Sequence, residues 1–454
     1  MTPSRAANPK TTPRQASLGY AWYVVLLLTA IYTLSFVDRQ ILSLLVAPVK
    51  RDLGISDTRI GLLQGLAFAL FYTFMGLPLG RIADTRNRRN LIASGVVVWS
   101  FFTGLCSVTK SFGSLFLARI GVGVGEASLS PAAYSLISDY FPEERLGVAI
   151  SVYYMGVFIG SSVAQLVGGI IVDYFAPTPM VHLPLLGAIA SWRVTFLLVG
   201  APGLLFAALV YTIREPLRRN LLRTAEGAST KVSFLEALAQ MRLRWQSVAG
   251  LSLGMVFQSM CTYSLTFWAP TFFQRVHGWT PGRSGRALSL ILVTFGCFGM
   301  YVGGKLSDRW QKQGLCEGPL RVAVWSAVGT AVLLPLAMIV PQAEWTLALM
   351  APGIFFAALP MGTSVAALQR IFPNQVRGQV SALYLFVLNL GGLSLGPLLP
   401  GLFNDHLFHN GKMVGASVAL TIGGAAVLML VVFRATYRPY RVDYQRMQAS
   451  GNLA

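Results

Sequence analysis

The chain has 454 residues, of which 54% are hydrophobic and 12% charged, and a formal net charge of +19. That is about half the charged fraction of a typical soluble domain, and apolar runs of roughly 20 residues, each long enough to cross a bilayer, recur from end to end. A soluble core cannot absorb so many such helices, which excludes a soluble enzyme or nucleic-acid-binding domain and leaves an all-α polytopic membrane protein.

Residues 1–19 form a polar tail with no apolar core and cleavage site of the signal-peptide kind. Twelve apolar segments follow, at about 20–49, 60–82, 90–109, 112–140, 146–173, 191–213, 246–276, 284–306, 319–340, 344–371, 377–403 and 413–435. The long polar stretch 214–245 divides them into six plus six. The expected domains are therefore bundles at 20–213 and 246–437, a linker at 214–245 and a tail at 438–454. Within the linker, Phe234, Leu235, Leu238 and Met241 have amphipathic spacing, which fits either a helix lying on the membrane surface or a plain connection. Of the 36 basic residues, 25 fall in the two tails and in alternate loops, against eight on the other side. By the positive-inside rule both termini are expected in the cytoplasm. The basic surface then faces anionic headgroups rather than nucleic acid.

In the first segment, Asp38 and Arg39 interrupt an apolar run; in the fourth, Arg119 and Glu126 do the same. Charges at membrane depth are costly and mark functional positions by default. Arg119 and Glu126 stand two helical turns apart, roughly 10 Å along the axis, so they share a face. Asp38 should lie at a depth between them. Burial favours a neutral, protonated acid, whereas a neighbouring guanidinium favours the carboxylate. Arg119 shared between Asp38 and Glu126 would therefore make a proton-operated switch; a purely structural ion pair is the alternative. The spelling GVGVGEA at 121–127 lacks the strand and loop of a phosphate-binding site, and close packing through Gly121 and Gly125 explains it better. Cys106, Cys261, Cys297 and Cys316 show no pairing or zinc pattern, and the four histidines form no metal site. No metal or other cofactor is expected.

The halves repeat. GRIAD at 80–84 matches GKLSD at 304–308, and YFPEERLG at 140–147 matches IFPNQVRG at 371–378. A tandem repeat with a site near mid-bilayer between the halves is a known transporter plan. GRIADTRNRRNLI at 80–92 resembles the loop motif of the major facilitator superfamily. Residues 35–95 and 115–156, which include SFVDRQILSLLVAPV and ARIGVGVGEASLSPAAYSLISDYFPEERLG, resemble the spinster branch of lysophospholipid and sphingosine-phosphate transporters and their bacterial relatives. Thr85 and Asn87 depart from the superfamily loop, and Ser161 stands where drug antiporters have proline.

The resemblance implies a twelve-helix major facilitator fold and a monomeric carrier in a bacterial inner membrane. It also implies alternating access, with proton coupling through Asp38, Glu126 and Arg119 and an amphipathic, lipid-like substrate. Arg39 and Arg119 are the natural anchors for an anionic end. Phe68, Phe71, Tyr72, Tyr153, Tyr263, Phe267, Tyr384 and Asn389 are candidate lining residues. Gly80, Asp84, Arg88, Arg89 and the mirror-related Asp308 are candidates for a conformational lock. The rivals are a proton-coupled carrier of small organic anions or drugs and, from another class, a membrane-embedded lipid-modifying enzyme.

Overall fold

The computed structural model describes residues 17–178, 180–183, 187–216 and 234–449. The beginning of the N-terminal tail, residues 217–233 of the linker and the last five residues of the C-terminal tail lie outside the described residues. Among the described residues, twelve helical spans are long and apolar enough to cross a membrane. Spans 1 to 6 are Leu18–Ser43, Asp57–Thr85, Arg88–Cys106, Phe112–Tyr140, Arg145–Phe175 and Ser191–Val210. Spans 7 to 12 are Trp245–His277, Pro281–Lys312, Gly318–Ile339, Ala343–Arg370, Val376–Leu407 and Gly411–Ala449. The last helix thus continues well past the apolar run that ends near 435. A helix at Phe234–Leu243 occupies the amphipathic part of the linker. A small hairpin, β1 (Met180–Leu183) against β2 (Gly187–Ala190), joins spans 5 and 6.

Local chemistry sets the ends. The side chains of Ser17, Ser56, Asn87, Ser111 and Thr280 each accept a hydrogen bond from a first-turn backbone N–H and so cap spans 1, 2, 3, 4 and 8. Two interruptions matter more. The α-helix of span 1 stops at Gln40 and tightens into a 3-10 turn, Ile41–Ser43. Span 4 breaks after Glu126 and resumes at Leu129; Pro131, which has no N–H and crowds the carbonyl four residues back, explains the break. Asp38 and Arg39 lie just before the first interruption, and Glu126 is the last residue before the second. Span 5 has no internal proline: Ser161, at the antiporter-proline position, donates to the Val157 carbonyl at 2.7 Å and leaves the helix continuous.

The six-helix halves pack alike. Span 3 lies against spans 4 and 6, as span 9 lies against spans 10 and 12, and span 1 against span 5 as span 7 against span 11. Close approach needs glycine at the equivalent contacts of spans 2 and 4 and of spans 8 and 10, on opposite helices of the two pairs. A Cβ on Gly123 in span 4 would come 2.6 Å from the Phe68 carbonyl of span 2, and one on Gly303 in span 8 would come 2.0 Å from the Leu359 carbonyl of span 10. Gly121 sits against the Phe102 ring and Gly125 against the Trp99 backbone, which is the expected helix packing. The halves meet along spans 2 and 11 and along spans 5 and 8.

A latch ties the last helix to the loop between spans 8 and 9. Glu317, 2% exposed, accepts hydrogen bonds from Arg441, from Cys316 Sγ at 3.2 Å and from Arg321 Nη2 at 3.3 Å. Burial pushes its carboxyl up, but the Arg441 hydrogen bond and its neighbours more than reverse this and hold it at about 2. A depressed value means the latch contributes fully above the ordinary 4.5 and loses its effect as pH falls from there toward 2. Thermal unfolding should therefore show Glu317→Gln less stable than wild type at neutral pH, with the difference closing towards about pH 3.

Candidate functional site

Spans 1 and 4 face each other at their interruptions and bring four charged side chains together. Asp38 and Arg119 are fully buried, Glu126 is 1% exposed and Arg39 6% exposed. Arg39 Nε donates to Glu126 Oε2 at 2.6 Å. Arg119 Nη1 donates to the Asp38 carbonyl at 3.0 Å and Nη2 to the Arg39 carbonyl at 3.4 Å. The tightening of span 1 near Gln40 frees these carbonyls from regular helical bonds, and the guanidinium satisfies them at the helix's negative end. Among the described residues, the Asp38 carboxyl oxygens accept no hydrogen bond of normal geometry; Arg119, Thr103, Glu126 and Arg39 are the polar groups that act on it. Glu126 Oε1 likewise accepts none there.

Sequence reasoning expected Arg119 to be the shared partner. Instead there are two guanidiniums with two roles: Arg39 holds the Glu126 carboxylate, and Arg119 holds the end of the helix that carries Asp38. Arg39 is also enclosed by rings. Its guanidinium carbon lies 4.7 Å from the Phe36 centroid, 4.5 Å from Phe68 and 4.7 Å from Tyr72. All three are within cation–π range.

Around this core the lining is rich in tyrosine. Tyr153 stacks on Tyr32 at 4.6 Å, meets Tyr134 edge-on at 5.4 Å and shares a hydrogen bond with Ser130 at 3.3 Å. Tyr134 stacks on Tyr154 at 5.9 Å. From the other half, Tyr263 lies within electrostatic range of Arg39 and stacks on Phe267 at 5.9 Å. Phe36, Tyr32, Tyr134 and Tyr154 were not among the sequence candidates; in a chain with 27 Phe and 16 Tyr, nothing local distinguishes them. Among the candidates, Phe71 is half-buried, Asn389 opens a π-helical turn in span 11, and Tyr384 lies away from Arg39 in the core of the second half.

A second charged network closes the face opposite the termini. Arg275 at the end of span 7 grips Asp57 at the start of span 2 with both terminal nitrogens, at 2.6 and 2.9 Å. Lys50 also binds Asp57, and Asn404 Nδ2 donates to it at 3.1 Å. Asp405 accepts from the backbone N–H of Thr58 at 2.6 Å and of Asp57 at 3.3 Å. A carboxylate from one half thus caps a helix N-terminus of the other, where the free N–H groups and the helix dipole favour negative charge. Sequence reading counted these residues only for orientation or left them aside, because charges in first and last helical turns are ordinary.

At the other face, Arg88 is fully buried and joins elements of one half: it binds Asp139, donates to Glu215 at 2.7 Å and to Ser135 Oγ at 2.8 Å. The Arg89 backbone N–H donates to Glu215 at 3.0 Å. Gly80 lies near Pro131, while Asp84 and Asp308 are exposed at the ends of spans 2 and 8. Among the described residues, no group of three or more His, Cys, Asp or Glu is disposed to hold a metal.

Known proteins resemble this chain in sequence and fold. The family model described as Major Facilitator Superfamily matches residues 28–316. An MFS-type efflux pump of Mycolicibacterium smegmatis is 29% identical over 429 residues, covering 93% of this chain and 94% of the pump. Protein spinster homolog 1 of Xenopus tropicalis is 26% identical over 443 residues, covering 90% of this chain and 80% of the homolog. The crystal structure of a bacterial homolog to the human lysosomal transporter spinster, in an inward-facing and unoccupied conformation, is 26% identical and superposes with a TM-score of 0.75 over 95% of this chain and 98% of the other. With its twelve spans in two matching halves and charged residues at membrane depth, the chain belongs to the Major Facilitator Superfamily and is a membrane transporter of its spinster-like branch.

Proposed function

We propose that the protein is a proton-coupled carrier of an amphipathic, lipid-like anion working by alternating access. The observation that carries this reading is the Arg39–Glu126 pair at 2.6 Å, walled by Phe36, Phe68 and Tyr72 and set beside Asp38 and Arg119. A proton on Glu126 removes the charge that holds Arg39, which frees a guanidinium for a phosphate or carboxylate. Asp38, whose carboxyl oxygens accept no hydrogen bond of normal geometry among the described residues, is the second proton site, and its charge state alters the hold of Arg119 on span 1. The apolar and tyrosine lining suits the hydrocarbon end. Proton and substrate then bias the same equilibrium, since each binds one state better.

We take the carrier to be a monomer with both termini in the cytoplasm of a bacterial cell; the Asp57–Arg275 contacts, which join the halves at the opposite face, then support an inward-facing state like that of its spinster-like neighbour. On that reading Asp84 and Asp308 lock the two halves together when the termini face closes, while Arg88 and Arg89 brace the first half.

Similarity to an efflux pump, and to a hexuronate transporter of Bacillus subtilis at 25% identity over 421 residues, favours small organic anions or drugs as the rival substrates. The test is uptake of labelled lysophospholipid into proteoliposomes with and without a pH gradient, in competition with hexuronate and with cationic drugs. The proposal expects gradient-dependent lysolipid flux that neither competitor suppresses. Flux of hexuronate or drug alone would overturn the substrate assignment.

A further inference from the structure

We propose a binding site for one anionic phospholipid of the termini-side leaflet, separate from the central charged set. A cavity of about 530 Å³ lies between the linker helix Phe234–Leu243, the start of span 7 and the first turns of span 11. Its mouth is Arg242 and Trp245, and its walls include Leu253, Leu383 and Val387. Span 7 begins at Trp245, so the mouth lies at the membrane surface. Leu253 is eight residues further on, about 12 Å deeper. The groove therefore runs along the path of an acyl chain, with an interfacial tryptophan at the headgroup level, where such rings concentrate.

Two observations select a phospholipid over other occupants. The walls are apolar and open sideways: Leu253 is 46% exposed and Trp245 61%. The mouth is cationic, since Arg242 is exposed and forms no ion pair among the described residues, on a face that already carries an excess of basic charge. Phosphate at Arg242 and one chain along Leu253, Leu383 and Val387 account for both. The lipid would also fasten the linker helix to the second half.

The experiment uses the full chain in phosphatidylcholine vesicles doped with phosphatidylglycerol carrying brominated acyl chains. The Trp245 signal is the difference between wild type and Trp245→Phe. Quenching should saturate at a phosphatidylglycerol fraction well below that giving equal quenching by brominated phosphatidylcholine. Arg242→Ala should raise the fraction required about fivefold, and Ala249→Phe, which fills the groove, should remove the saturable part. Quenching that rises in simple proportion to bulk fraction, is equal for both lipids and is untouched by either substitution would mean ordinary bilayer contact and overturn the proposal. Absence of any quenching would also overturn it, because no lipid would then occupy the groove.

Discussion

Asp57→Asn should open the face opposite the termini. Asp57 is 1% exposed and receives both terminal nitrogens of Arg275, together with Lys50 and Asn404. Breaking a buried pair by removing one partner costs about 3–5 kcal/mol, and 1.4 kcal/mol is about tenfold in an equilibrium. The closed state should thus lose about a hundredfold or more of its advantage, enough to make a minor open state a major one. Spin labels at Arg51 and Lys412, on a background with the four cysteines replaced, would show a longer distance appearing in Asp57→Asn and in Arg275→Ala. The reversed pair, Asp57→Arg with Arg275→Asp, should recover part of the short distance. An unchanged distribution in both single variants would remove this network as the gate.

Arg119→Gln should damage stability more than any other change in the central set. Arg119 is fully buried and is hydrogen-bonded to the Asp38 and Arg39 carbonyls, and it is the stronger of the two guanidiniums acting on the Asp38 carboxyl. Its loss strands two carbonyls and a buried carboxylate together, at a cost of about 3–5 kcal/mol. The larger share comes from the charge. Thermal unfolding in detergent should therefore show a marked drop for Arg119→Gln and partial recovery when Asp38→Asn is added. If the double variant were no more stable than the single, Arg119 would act only through the carbonyls.

The sequence made the architecture readable because lipid leaves little choice: a backbone in hydrocarbon must satisfy its own hydrogen bonds, so apolar runs become helices. The paired matches at 80–84 with 304–308 and at 140–147 with 371–378 disclosed the repeat that the packing of spans 3, 4 and 6 against that of 9, 10 and 12 displays. Asp38 and Glu126 stood out for the same reason, as lone acids in apolar runs. Which guanidinium meets which acid did not. Asp38 and Arg39 are adjacent, about 100° apart around a helix of 3.6 residues per turn, and nothing in the spacing says which of them meets span 4. Rotation of the helix turned Arg39 to Glu126. The Asp57 network was illegible for another reason: Asp57 and Arg275 are 218 residues apart and each is unremarkable in its own helical turn. Only the meeting of the halves gives them meaning. The tyrosine lining was hidden by abundance, since packing and cavity aromatics look the same in a chain this rich in rings.

The most direct test of proton coupling through the central acids is to follow internal pH with a trapped dye while a substrate gradient is imposed on proteoliposomes. Wild type should convert the substrate gradient into a pH change. Glu126→Gln and Asp38→Asn should each fall to the level of protein-free vesicles, while still exchanging labelled for unlabelled substrate. A full pH response in both variants would contradict the account, because the carrier would then couple to protons through other groups.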